Sequence, residues 1–335
     1  MNLHIPDVRI LEVHTSPWKN PPNYRRHSSS LEEGKELGLP LLLPAISDAA
    51  NLGYNFLNVA GDEPLSYPAL PAICREAHRH GMLTSMITRN RTLTTDQLDW
   101  LRFSIDLLGV EVNGKSPARA RRSAANAQTP EERLEVVRAS GIPFAIVFTL
   151  TPARLAELEW AAEFAAAQGA AMLQIKPTPD LTDEQMATAW MMVECLCELE
   201  RGKLVIHLDA VNRYSLPTEP DDLASWKHDL EREARYLGEI VSPLVIEDDG
   251  TVVPLRYGFP RRFAFGDLHQ ERLPAMTERW TETRAAGFCE VYGTVLHKAR
   301  TADRMFGDLY EMLSLEVESA GPIAKGGEMG MSAAG

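Results

Sequence analysis

Cysteine is scarce in this chain: Cys74, Cys195, Cys197 and Cys289 are four among 335 residues. Four cysteines so far apart do not build a disulfide framework. Cys195 and Cys197 lie two apart in AWMMVECLCELE, a helical pattern that points them in different directions. They read as core or helix residues and not as metal ligands. No apolar run approaches the roughly 18–20 residues that span a bilayer, so no membrane partner is expected. The opening stretch MNLHIPDVRI has neither the basic segment nor the apolar segment of a secretory signal, and the cytoplasm is the expected location. Positive charge is in deficit as well, 34 Lys and Arg against 47 Asp and Glu, for a net charge of −13. Phosphate backbones attract basic surfaces, so nucleic acid is not an expected partner.

What is present is an alternation of short apolar runs with amphipathic stretches. Residues 8–15, 54–60, 82–88, 107–112, 144–151 and 171–177 read as strands. Helical patterns near 32–52, 68–80, 94–103, 129–140 and 152–168 lie between them. Thr129-Pro130-Glu131-Glu132 supplies an N-cap, a proline for the first turn and a capping-box glutamate, and Thr182-Asp183-Glu184-Gln185 supplies another box. Gly53, Gly81 and Gly141 each stand where a helix stops before a strand. Six β–α repeats imply parallel strands with right-handed crossovers, either doubly wound or closed wholly or partly into a barrel. In such folds ligands collect at the carboxyl ends of the strands.

The second half reads differently. A helix over 182–200 and a strand over 203–209 precede an acidic stretch, and PLVIEDDGTVVPLRYG then shows two β-prone runs joined by Asp-Asp-Gly, a hairpin signal. Helical patterns follow near 274–286 and 300–317. Residues 1–180 are expected to form the (β/α)6 core and 181–318 a small α+β extension with the hairpin. Residues 319–335, small and polar, are expected to be a disordered tail.

The strand ends carry the polar residues. AGDEPLSYPAL closes the second strand, where Gly61 allows close backbone approach or positive φ. Asp62 and Glu63 either face the mouth of the cavity or sit against a helix N-terminus. TRN closes the third strand with Asn90, VEVNGK the fourth with Glu111 and Asn113, FTLT the fifth with Thr149 and QIKP the sixth with Lys176. Such a ring can hydrogen-bond a polar ligand, or it can be no more than satisfied strand termini.

These motifs, in this order, resemble the radical S-adenosylmethionine (radical SAM) superfamily over roughly residues 8–270. GDEP (61–64) is similar to the GGEP of that family, which the resemblance assigns to the amino group of S-adenosylmethionine. GVEVNG (109–114) is similar to its fourth strand, with Glu111 and Asn113 in place of Ser and Asp. PLVIEDDGTVVPLRYGF followed by FGDL resembles the C-terminal cluster-binding extension (SPASM-like) of many members, but Leu255 stands where those carry a cysteine. The fold so implied is α/β, a partial or complete parallel (β/α) barrel of the radical SAM type with a small C-terminal α+β extension.

The resemblance departs at its centre. WKNPPNYRRHSSS (18–30) aligns with the family's Cys-x-x-x-Cys-x-x-Cys loop and places Lys19, Asn23 and Arg26 on the three cysteine positions. A [4Fe–4S] cluster needs thiolates, and ammonium or guanidinium cannot replace them. No cluster is therefore expected, although S-adenosylmethionine stays the cofactor that the resemblance implies. Lys19 and Arg26 either plug the vacated place by pairing with Asp62, Glu63 or Glu111, or they hold an anionic group. His27, in place of the family's tyrosine, either flanks the adenine or acts as a base, or is a plain loop histidine. Two functions remain open. One is a radical-SAM-fold protein without a cluster that binds a small molecule or peptide, or a protein partner, in natural-product modification. The other is a S-adenosylmethionine-dependent transferase or lyase of polar mechanism.

Overall fold

The structure, a computed structural model, describes residues 8–16, 37–114, 128–212, 237–302 and 306–319. Within the first half strand and helix alternate as expected. The strands are β1 (Ile10–His14), β2 (Phe56–Ala60), β3 (Leu83–Thr88), β4 (Leu107–Glu111), β5 (Phe144–Leu150), β6 (Met172–Pro177) and β7 (Val205–Leu208). The helices are α1 (Leu39–Asn51), α2 (Leu70–Arg79), α3 (Thr95–Asp99), α4 (Pro130–Ser140), α5 (Leu158–Gln168) and α6 (Asp183–Leu199). β1 to β7 pair in chain order, each parallel to the next. Both capping boxes form, Thr129 with Glu132 and Thr182 with Gln185. Gly53, Gly81 and Gly141 all have positive φ.

The sheet does not stop at β1. β9 (Leu244–Ile246) lies parallel to β1, and β10 (Thr251–Pro254) returns antiparallel through the Asp-Asp-Gly turn to meet β11 (Gly266–Asp267). Ten strands thus run in the order β11-β10-β9-β1-β2-β3-β4-β5-β6-β7. A separate two-stranded ladder joins β8 (Val211–Asn212) to β12 (Phe306–Gly307). The remaining helices are α7 (Leu237–Ile240), α8 (Leu273–Thr283), α9 (Ala285–Thr301) and α10 (Leu309–Ser319). No helix among the described residues is long and apolar enough to cross a membrane.

Alternation decides which face each strand residue serves. Leu11 and Val13 of β1, Leu57 and Val59 of β2, Leu108 and Val110 of β4 and Leu173 and Ile175 of β6 are buried in the hydrophobic core with residues of α1, α2, α4 and α5. The opposite face carries Glu12, Asn58, Ser85, Glu111, Thr149, Gln174 and Lys176. In a flat sheet five strand spacings would separate β1 from β6 by about 24 Å. The Lys176 ammonium nonetheless acts on the Glu12 carboxylate. The sheet therefore curls, and the polar face lines a lumen.

The helix boundaries differ from the sequence pattern at several places, among them the stretch 152–157, which is a 3-10 helix ahead of α5, and the pattern at 274–286, which breaks between α8 and α9. α1 begins at Leu39, because Pro40 suits the first turn, where its missing N–H loses no bond. α3 is only five residues long. Near the C-terminus the pattern at 300–317 is split, since α9 ends at Thr301 and α10 begins at Leu309. α9 itself contains Gly287 and Gly293 and has weak helix propensity, but burial of Phe288, Cys289, Val295 and Leu296 holds it.

Below the barrel, at the amino ends of β3 and β4, Asp106 ties α2 to the sheet. Its Oδ2 accepts from Thr84 N at 2.7 Å and Thr84 Oγ1 at 3.0 Å, and lies 2.9 Å from His78 Nε2. Partial burial pushes the Asp106 pKa up, but the hydrogen bonds from His78 and Thr84 and the His78 charge outweigh it, and the net shift is downward. A depressed carboxylate stabilises the fold above the unfolded pKa and loses that contribution as pH falls through the folded value. The stability gap between the wild type and Asp106→Asn, read from urea midpoints, is expected to be full above the ordinary aspartate pKa of about 4 and to shrink as pH falls below it. A gap that does not vary with pH would show that the charge contributes nothing.

Candidate functional site

The carboxyl ends of β1 to β4 meet around the Gly61 turn. Thr15 N donates to Ala60 O at 3.1 Å, and Asp62 N donates to Ser16 Oγ at 3.3 Å. Gly61 has φ of +132°, and a Cβ there would lie 2.8 Å from Ser16 Oγ and 3.3 Å from both Ser16 N and Ser16 O. Both reasons for glycine at this turn are thus present, the backbone conformation and the close approach.

Glu63 folds back on its own chain. It is the N-cap of a short 3-10 helix, Pro64–Ser66, where Leu65 N donates to Oε1 at 3.3 Å. Thr88 Oγ1 donates to both carboxylate oxygens, at 3.0 and 3.2 Å, and Arg89 N to Oε2 at 3.2 Å. Burial pushes the Glu63 carboxyl above the usual range even against these donors. Its role in the geometry is to lock the end of β2 to the end of β3.

Arg89, next to Asn90 at the end of β3, holds the neighbouring termini together. Its Nε makes an ion pair with Glu111 Oε2 at 2.9 Å, and its Nη1 reaches Gly61 O at 3.4 Å. Arg133 of α4 braces the same ends from outside, donating to Asn90 O at 3.0 Å and Glu111 O at 2.7 Å. Asn90 Oδ1 accepts from Thr92 N at 3.2 Å. Asn113 Oδ1 accepts from Arg154 Nη1 at 3.4 Å, and the same group donates to Thr149 O at 3.3 Å. Gly61, Glu63, Asn90, Glu111, Asn113 and Thr149 are therefore gathered along the ends of β2 to β5 by Arg89, Arg133 and Arg154. None of these three arginines stands out in the sequence, although the position of Arg89 between Thr88 and Asn90 was available there.

Deeper in the lumen a second polar layer crosses β1, β2 and β3 in register. His14 Nε2 lies 2.7 Å from Glu12 Oε1, Asn58 Nδ2 donates to Glu12 Oε2 at 2.9 Å, and Ser85 Oγ donates to Asn58 Oδ1 at 3.0 Å. Burial pushes the Glu12 carboxyl up, but His14, Asn58 and the Lys176 charge together bring it below the usual carboxylate range. The His14 ring packs against Tyr257 with centroids 4.4 Å apart, and Tyr257 OH donates to Asp248 Oδ1 at 2.6 Å. Tyr310 of α10 comes close enough to sense Glu12 and Asp209, and its phenol is pushed up to about 12 by burial, aided by these charges and those of Tyr292 and Asp308. Sequence reading missed this layer. Its signal was one glutamate inside ILEVH, at the position that alternates with buried Leu11 and Val13.

Lys19, Arg26 and His27 lie outside the described residues, as does the tail from 320. Cys74 is on α2, Cys195 and Cys197 on α6 and Cys289 on α9, all on helices and none on a strand end.

A mostly parallel sheet curled around a polar lumen, with its glycine turn after β2 and a hairpin added beyond β1, has the fold of the radical SAM superfamily. No family model matches the chain. Over 147 residues it is 30% identical to the PqqA peptide cyclase of Ruegeria pomeroyi, a match that spans 43% of this chain and 39% of that protein's length. SuiB of Streptococcus suis bound to S-adenosylmethionine has a TM-score of 0.57 at 10% identity, over 83% of this chain and 65% of SuiB. The protein anSMEcpe with bound AdoMet has a TM-score of 0.58 at 12% identity, over 93% of this chain and 96% of its own. SuiB bound to its precursor peptide SuiA has a TM-score of 0.58 at 9% identity, over 83% and 66% of the two chains. At these identities the structural likeness is one of fold.

Proposed function

We propose that this protein binds a peptide destined for modification, in a radical-SAM-type barrel that carries no iron–sulfur cluster. One observation carries the reading: residues 15–38, which join β1 to α1, contain no cysteine. A [4Fe–4S] cluster is held by thiolates, and the four cysteines of the chain sit on helices. The donor set does not fit the cluster. The peptide half of the reading is supported by the PqqA peptide cyclase match and by the fold shared with SuiB, which is known with its precursor peptide bound. On this reading the chain acts as a ligand-binding or partner subunit in peptide or natural-product modification.

The Arg89–Glu111 pair favours a second reading, a polar S-adenosylmethionine-dependent enzyme. The pair offers a cation for an amino-acid carboxylate and a carboxylate for its ammonium, at the strand ends where ligands of such folds collect. Gly61 O and Asn113 stand beside it, with Arg89 donating to the first and Arg154 to the second. When bound, S-adenosylmethionine supplies an electrophilic sulfonium, and the protein's task is placement and charge stabilisation.

Two measurements test both readings. Iron and sulfide are quantified in protein purified without oxygen, and S-adenosylmethionine is titrated into it calorimetrically. The expected result is iron far below one equivalent. Micromolar S-adenosylmethionine binding in that sample favours the polar enzyme, and no heat favours the partner subunit. A stoichiometric, reducible iron–sulfur centre overturns both.

A further inference from the structure

The wall of the lumen made by β5 and β6 differs from the wall made by β1 to β3. On the β1 side Ser85, Asn58, Glu12 and His14 are joined in one hydrogen-bonded chain. On the β5–β6 side Thr149 and Lys176 are paired in register, and Gln174 lies two residues earlier on the same face of β6. Lys176, Thr149 and Gln174 are all partly exposed residues. With the described residues, Lys176 makes no ion pair within 4 Å, and none of the three side chains makes a hydrogen bond. Lys176 senses Glu12 across the lumen, but both Glu12 oxygens are already taken by His14 and Asn58.

We infer that Lys176, Thr149 and Gln174 form a receptor for a carboxylate, supplied by an acidic side chain of the peptide that the barrel holds. This inference rests on the peptide reading above. The chemistry fits in three respects. A carboxylate offers two oxygens with about four acceptor sites, and the three side chains offer an ammonium, a hydroxyl and an amide NH₂. A charge-assisted bond to lysine is the strong member of the set, and the two neutral donors fix its orientation. A monoanion is also preferred over a phosphate dianion, because the Glu12 charge across the lumen repels the second negative charge. None of the three side chains belongs to the Arg89–Glu111 pair, so a peptide carboxylate and an amino-acid ligand at the strand ends have separate partners.

The test reads Lys176 alone. The protein is reductively methylated with formaldehyde and a borohydride at limiting reagent, and methylation of each lysine is quantified by mass spectrometry. The reaction is run with N-acetyl-glutamate amide, with N-acetyl-glutamine amide and with S-adenosylmethionine. The expected result is a several-fold slowing at Lys176 with the glutamate compound and none with the glutamine compound, while exposed Lys203 and Lys298 react equally in all samples. Thr149→Val and Gln174→Leu are each expected to weaken the protection without changing the rate at Lys176 when no ligand is added. Equal protection by both amides overturns the carboxylate assignment, and so does no protection. Protection by S-adenosylmethionine alone moves the carboxylate to the cofactor and overturns the peptide assignment. Because the deciding probe is a single capped residue, the glutamate and glutamine outcomes are independent of iron content and of sulfonium binding, which decide the reading above.

Discussion

Replacing Trp280 by alanine is expected to destabilise the protein by about 3–5 kcal/mol, the cost of deleting a large buried aromatic side chain. Trp280 of α8 is 1% exposed and stacks on Phe265 with ring centroids 4.4 Å apart. It meets Phe288 of α9 edge-on at 5.5 Å, and Phe288 in turn meets Phe263 at 5.6 Å and Phe259 at 6.3 Å. Its indole Nε1 also donates to Phe263 O at 2.8 Å. The residue therefore fastens two helices onto the segment that follows the β9–β10 hairpin. Trp280→Phe keeps most of the aromatic contact and loses the hydrogen bond, so its cost is expected to be nearer about 1–2 kcal/mol. Urea denaturation monitored by far-ultraviolet circular dichroism measures both. An alanine variant within about 1 kcal/mol of the wild type would mean that the cluster relaxes freely around the void.

The second large effect lies at the site. Gly61→Ala is expected to cost about 1–3 kcal/mol in backbone strain, since φ of +132° is a region that alanine rarely adopts. Crowding adds to this, because the new methyl would sit 2.8 Å from Ser16 Oγ and 3.3 Å from the Ser16 backbone. The two causes separate in a double variant. Ser16→Ala removes the nearest atom but leaves φ unchanged, so Ser16→Ala/Gly61→Ala is expected to recover only part of the loss. Full recovery would show that crowding was the whole effect. A single Gly61→Ala variant with wild-type stability would show that the turn relaxes to another conformation. The turn joins the end of β2 to the residue from which the β1–α1 connection departs, so the same variant is also expected to weaken ligand binding.

Local signals in the sequence were read well because their physics is local. Thr129 and Thr182 cap the helices that follow them through bonds spanning three residues, and Asp248-Asp249-Gly250 turns the hairpin with Gly250 at φ of +86°. The apolar runs of β1 to β6 are legible because strands covered on one face by helices are rich in apolar residues. What could not be read is non-local. β9 joins β1, and Ile10 N donates to Ser242 Oγ across 232 residues. No periodicity records such a neighbour. The candidate site divides in the same way. Gly61, Glu111, Asn113, Thr149 and Lys176 could be named because they follow strands, yet the Arg89 to Glu111 ion pair and the Glu12 layer depend on how far the sheet curls. Lys19, Arg26 and His27, in the loop that aligns with the cluster motif, fall outside the described residues.

The position of β1 has a consequence for how the molecule comes to be made. During synthesis it has one flank covered by β2 early, but the other waits for residues 244–246. Until then its outer backbone groups lie open to pairing with other nascent chains, the exposure through which unpaired strand edges aggregate. Chains halted before the hairpin keep that open flank. Low yield and chaperone dependence are therefore expected of truncations that remove the hairpin, even though they leave β1 to β7 in place.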